Sequence, residues 1–119
     1  MTAGEILAAV DALRPNQYEA AQKLAWLSLL DGKLAGELFR VYDETYPFPC
    51  RSYTAETPLA APFPYDWELY TTWLFAQIDL HNAEIVKYNQ SMTLFAAAWR
   101  QLADHWSRTH RAASGAWRY

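Results

Sequence analysis

Five of the six prolines in this 119-residue chain fall at positions 47, 49, 58, 62 and 64. Proline fixes φ and carries no N–H, so neither a helix nor a central strand runs through that stretch. The stretch from Tyr46 to Pro64 is therefore a loop between regular elements. The connection is no mere linker, because Tyr46, Phe48, Tyr53, Leu59 and Phe63 lie in it. Aromatic side chains at that density predict an ordered loop, packed on its own domain or received by a neighbour, with short extended pieces allowed.

The segments on both sides of this loop read as helical. Thr2 with Glu5 three residues later fits a capping box, and Ile6, Leu7, Val10 and Leu13 follow at helical spacing until Pro15. Asn16 and Glu19 repeat the start signal. They predict a second helix over about 17–42, with Ala20, Leu24, Leu27, Leu34, Leu38 and Val41 on one side and a kink permitted at Asp31-Gly32. Beyond the loop, Asp66 is placed to cap a third helix. Trp67 to Leu80 is apolar on nearly every face, as in a helix buried on several sides. Met92, Phe95, Trp99, Leu102 and Trp106 then form a seam for a near-antiparallel neighbour, and Ala96, Ala97 and Ala98 allow close approach. Tyr88-Asn89-Gln90-Ser91 reads either as the turn before a fourth helix, with Ser91 as its N-cap, or as a kink in one continuous helix. The expected fold is all-α. Residues 1–110 form one domain, a small bundle of about four helices with the proline loop at 46–64. A flexible basic C-terminal tail follows at 111–119.

The charges are unevenly spread. Residues 1–84 hold five Lys/Arg against twelve Asp/Glu, a net of −7, whereas residues 85–119 hold five against Asp104 alone, a net of +4. Such asymmetry suits the stacking of unlike surfaces, or a basic end near phosphate. The overall charge of −3 argues against general nucleic-acid binding. Six Trp and eight Tyr furnish either a private core or surface kept for a partner. Cys50 is the only cysteine, so no intrachain disulfide is possible. No secretory leader pattern opens the sequence, and no apolar run approaches the roughly 20 residues a bilayer requires. The expectation is a soluble, cytoplasmic protein without a membrane partner. The acceptor pattern Asn89-Gln90-Ser91 therefore carries no weight as a glycosylation signal.

Chemistry is faint. The four glycines form no phosphate loop, and a lone thiol makes no thiolate zinc site. His81 and Glu84, three apart on a helix, supply only two metal ligands. With Gln77 they read as an interhelical polar network rather than catalytic groups in a cleft. Asp104, His105 and His110 read as surface at a helix end. Asp79 and Asn82 fall among apolar neighbours. A carboxylate–arginine pair from Asp79 to Arg100 on the next helix would set register. No catalytic residue, cofactor or metal is expected, and the chain does not read as an enzyme. The expected partner-contacting residues are Tyr46, Phe48, Tyr53 and Phe63 in the loop and Trp117, Arg118 and Tyr119 in the tail.

From about Asp11 to His110 the chain resembles small phage and prophage proteins encoded in head–tail morphogenesis clusters. The matching residues are Trp26-Leu27 through Asp31-Gly32-Lys33, Ala76-Gln77-Ile78-Asp79-Leu80, Glu84, Tyr88-Asn89-x-Ser91-Met92-x-Leu94-Phe95 and Trp106-x-Arg108-Thr109-His110. The resemblance is to head–tail connector, or adaptor, proteins. It implies a mainly helical subunit in a ring, commonly dodecameric, that docks beneath the portal protein. DNA passes through the ring channel without sequence-specific binding. Loops and termini engage the portal, neighbouring copies or the next tail or neck protein. The implied location is the host cytoplasm during assembly and the virion neck afterwards. Ala96-Ala97-Ala98-Trp99 departs from the more polar run expected there. Unlike charges on the two halves suit head-to-tail contacts that close into a ring, with acidic side chains from residues 1–84 lining the channel. Two rival expectations remain: a small helical protein-binding module or regulator that sequesters a partner helix on its Trp-rich face, and an enzyme using Gln77, His81 and Glu84.

Overall fold

The computed structural model describes residues 1–50 and 52–114, with side chains as far as His110. Among these residues the fold is an all-α bundle of four helices without a strand. Helix α1 spans Ala3–Leu13. Helix α2 spans Ala20–Leu34 and continues through a π-helical segment, Ala35–Phe39, into a last turn, Arg40–Tyr42. Helix α3 spans Asp66–His81 and helix α4 spans Ile85–Ser114.

The contacts fix the direction of each helix. Arg14 meets Asp79 and the amino group of Met1 meets Asp66, so α1 runs parallel to α3. Tyr18 bonds Asn82, the indole of Trp73 donates to the carbonyl of Trp26, and Tyr70 bonds Asp31, so α2 runs antiparallel to α3. Tyr65 stacks on His105, Trp73 packs on Phe95, and Ser91 bonds Asp79, so α4 is antiparallel to α3 as well. Helix α3 is thus the central element. Leu69 to Leu74 are six consecutive buried residues, a pattern only a helix covered on several sides shows.

Local sequence explains most element ends. The Thr2–Glu5 capping box is formed, and α1 stops at Leu13 ahead of Pro15. Asn16 does not start α2. Its side chain accepts from the Tyr18 amide and donates to Asp11 and the Arg14 carbonyl, shaping the turn between helices. Helix α2 begins only at Ala20, after Glu19, which makes no side-chain cap.

The hydrophobic side expected for α2 holds from Leu24 to Leu38 and fails at its two ends, at the exposed Ala20 and at Val41, which is 60 % exposed. The π-helical segment explains the failure at Val41. It widens the turn and rotates the residues beyond it, so that Phe39 points inward and Val41 outward. The widened turn lies three residues beyond the kink permitted at Asp31-Gly32.

Helices α3 and α4 are separate, and the turn between them is not at 88–91 but at Asn82-Ala83-Glu84. The Ala83 amide donates to the Leu80 carbonyl and the Glu84 amide to the Asp79 carbonyl. This pair of bonds is the Schellman ending, and its middle residue adopts φ 59°. Alanine occupies a position that favours glycine, so the sequence gives no signal there. Ser91 lies inside α4, with its hydroxyl committed to Asp79. The seam residues Phe95 and Leu102 are buried, and Met92, Trp99 and Trp106 pack half-buried beside them. Of the three alanines suited to close approach, Ala98 is buried while Ala96 and Ala97 face solvent. The helix runs on to Ser114, so the expected tail at 111–119 starts inside α4.

The proline loop is ordered and stitched to α1. Thr2 and Pro58 form an antiparallel bridge. The amides of Ala3 and Gly4, left free at the start of α1, donate to the carbonyls of Thr57 and Ala55, and the Leu59 amide donates to the Met1 carbonyl.

Candidate functional site

The densest polar cluster is built on Asp31, a fully buried carboxylate on the core side of α2. Its Oδ1 accepts from the Tyr70 hydroxyl on α3 at 2.5 Å. Its Oδ2 accepts from the Tyr53 hydroxyl at 2.6 Å and the Ala60 amide at 3.2 Å, both in the proline loop. The Tyr70 oxygen in turn accepts from the Ala61 amide at 2.9 Å. One carboxylate thus ties the loop to two helices. Burial raises the Asp31 carboxyl above its ordinary value, against the opposing pull of the Tyr53 and Tyr70 hydrogen bonds. Burial, reinforced by the neighbouring Asp31 charge, also raises the phenols of Tyr70 and Tyr53. With its lone pairs engaged by three donors, this carboxylate holds structure; it has no free face toward solvent for a substrate.

A second cluster joins three helices. The Arg14 guanidinium reaches both oxygens of Asp79 at 2.7 Å, Ser91 donates to Asp79 at 2.9 Å, and the guanidinium lies 4.4 Å from the centre of the Phe75 ring. The expected pairing of Asp79 with Arg100 is therefore wrong. Asp79 is buried on the side of α3 that faces α1 and Ser91, while Arg100 lies on the exposed side of α4.

Gln77, His81 and Glu84 do not form an interhelical network. His81 Nδ1 bonds the Gln77 carbonyl within its own helix, and its ring packs against Tyr18 and Trp26. Glu84 pairs with Lys87 at 2.7 Å beyond the turn. Among the described residues no three His, Cys, Asp or Glu side chains are placed to hold a metal ion. His105 and His110, expected at the surface, are half-buried, stacked on Tyr65 and Trp106.

The residues expected to meet partners divide into two kinds. Tyr46 and Tyr53 serve the fold: Tyr46 packs on Phe39 and Trp106, and Tyr53 bonds Asp31. Phe48 and Phe63 are presented outward, Phe48 beneath the Arg40 guanidinium and Phe63 87 % exposed. Trp117, Arg118 and Tyr119 lie outside the described residues.

Sequence pattern does not mark the other exposed apolar side chains. Trp67 accompanies Phe63 at the start of α3. Leu13, Leu80, Ile85 and Val86 lie about the opposite end, roughly 24 Å away by helix rise. Leu94 stands outward midway along α4, and a groove opens between the outer side of α2 and loop residues Phe48 to Cys50. No helix among the described residues is long and apolar enough to cross a membrane. Compared with known protein families, with curated proteins and with solved structures, the chain matches none.

Proposed function

We propose that this chain is a structural subunit of a phage head–tail connector, docking on a portal and repeating around a DNA channel. Its role is assembly rather than catalysis. The observation that carries the reading is the pair of dissimilar apolar surfaces at the two ends of α3. Phe63 and Trp67 lie at one end, and Leu13, Leu80, Ile85 and Val86 at the other. Large apolar side chains held in solvent by a rigid helix favour burial against a partner. Two unlike surfaces suit stacking between unlike neighbours, a portal on one side and the next neck component on the other. The resemblance of the residues between Asp11 and His110 to connector proteins is what suggests those neighbours. DNA would pass the ring without base-specific contact.

The test is co-sedimentation with the portal protein of the same phage or prophage. The wild-type chain should travel with the portal, and Phe63→Asp with Trp67→Asp should release it while leaving helix content unchanged. Retention of the double variant would refute the assignment of that end. A second reading, a small helical module that holds a partner helix, draws on the groove along α2; it expects capture of an isolated helical peptide and indifference to the portal.

A further inference from the structure

The outer side of α2 carries a valley that its own chain leaves open. Ser28, Gly32 and Gly36 form its floor, spaced four residues apart. Leu29, Lys33 and Glu37 stand along one wall, and Phe48, Pro49 and Cys50 along the other, around a volume of about 510 Å³. A Cβ added at Gly32 would meet nothing within 4 Å, and one at Gly36 would meet only the Phe48 ring, at 3.6 Å. Rows spaced by four are the grooves into which a second helix lays its ridge.

A ridge of suitable shape stands on α4. Leu94, Ala97 and Arg100 follow one another at spacings of three, all exposed, opposite the buried Phe95 and Leu102. We propose that this ridge seats in the valley of a second copy of the chain, with α4 parallel to the receiving α2. Leu94 then enters beside Leu29, Ala97 rests on Gly32, and Arg100 reaches Glu37.

Charge and placement both favour this occupant. Glu37 on the valley wall and Arg100 on the ridge carry opposite charges, with Lys33 beside Glu37 along the same wall. Neither Arg100 nor Glu37 takes part in an ion pair among the described residues. Valley and ridge lie on different helices, each facing away from the core. One copy offers both at once, and the contact propagates head to tail. The inference rests on the connector reading, for which it supplies the ring contact.

The full-length protein tests it without a portal, at high concentration, because Cys50 is its sole cysteine and lines the valley. Gln90→Cys places a second thiol one turn before Leu94. A bifunctional maleimide should then give a ladder of multimers, whereas wild-type protein gives none. Gly32→Leu should abolish the ladder while leaving the circular dichroism spectrum and melting temperature intact. Glu37→Arg or Arg100→Glu should each reduce ladder yield on the order of tenfold, and the two together should restore it. Absence of a ladder, a ladder indifferent to Gly32→Leu, or wild-type dimers through Cys50 alone would overturn the proposal. If the chain binds the portal but forms no ladder, this contact is wrong and the connector reading stands; a ladder without portal binding has the opposite meaning. Should Gly32→Leu block the portal in a chain that forms no ladder, the valley belongs to the portal.

Discussion

Replacing Asp31 by alanine should loosen the proline loop from both helices it touches. Three donors lose their acceptor together: the hydroxyls of Tyr53 and Tyr70 and the amide of Ala60. Each buried donor left unsatisfied costs about 1–3 kcal/mol. Tyr53 is only half-buried and regains water readily, so the main losses are at Tyr70 and Ala60. Against them stands relief of a desolvated carboxylate, whose pKa burial has raised. The expected net loss is about 3 kcal/mol, or about 12 °C in Tm at roughly 4 °C per kcal/mol for a domain of this size.

The pH dependence carries a sign. Because the folded state holds the Asp31 proton more tightly than the unfolded state, its contribution is fullest below the ordinary value of 3.8. It is lost as pH rises through the folded pKa. Thermal melts of wild type and Asp31→Ala, followed by circular dichroism at pH 7 and again at the ordinary value of 3.8, should therefore show a gap that widens toward acid. Tyr70→Phe should cost more than Tyr53→Phe, because the Tyr70 oxygen also serves the Ala61 amide. A gap under 1 kcal/mol, or one that narrows on acidification, would refute the reasoning.

Ala83→Gly should raise stability by about 1 kcal/mol, since φ 59° strains alanine and suits glycine; a drop in Tm would contradict the Schellman ending. Arg14→Ala should cost about 3 kcal/mol by leaving the buried Asp79 with Ser91 alone, measured by urea unfolding, whereas Arg100→Ala should cost almost nothing. Gly4→Ala should destabilise because its Cβ would lie 2.9 Å from the Ala55 carbonyl oxygen, and unchanged melting would show that the loop gives way there.

The features legible in the sequence are periodic or terminal. The α1 capping box, the end before Pro15, the buried length of α3 and the Phe95–Leu102 seam all obey local rules, and all are present. The features that escape it are set by tertiary contact. Asp79 pairs with Arg14 rather than Arg100 because α1 lies parallel to α3, and spacing within the second half of the chain does not contain that fact. The turn at Ala83 lacks a glycine signal, while Ser91, a good N-cap by type, spends its hydroxyl on a buried carboxylate. The π-helical segment reverses Val41, since a fixed period cannot express a widened turn. The loop is legible as ordered from its aromatics, but Asp31, the residue that holds it, looks in sequence only like part of an Asp-Gly interruption. Of the loop aromatics expected for partners, Phe48 and Phe63 stand outward. Exposed Trp67 opens a segment that reads as buried, because residue type alone does not say which way a side chain faces.

Mass photometry of the chain mixed with the portal protein of the same phage or prophage tests the proposed role as a repeating neck subunit. A subunit of 13.7 kDa should add mass to the portal ring in a step equal to many copies, close to one per portal subunit. A portal peak that does not move, with the chain folded and in excess, would contradict the account.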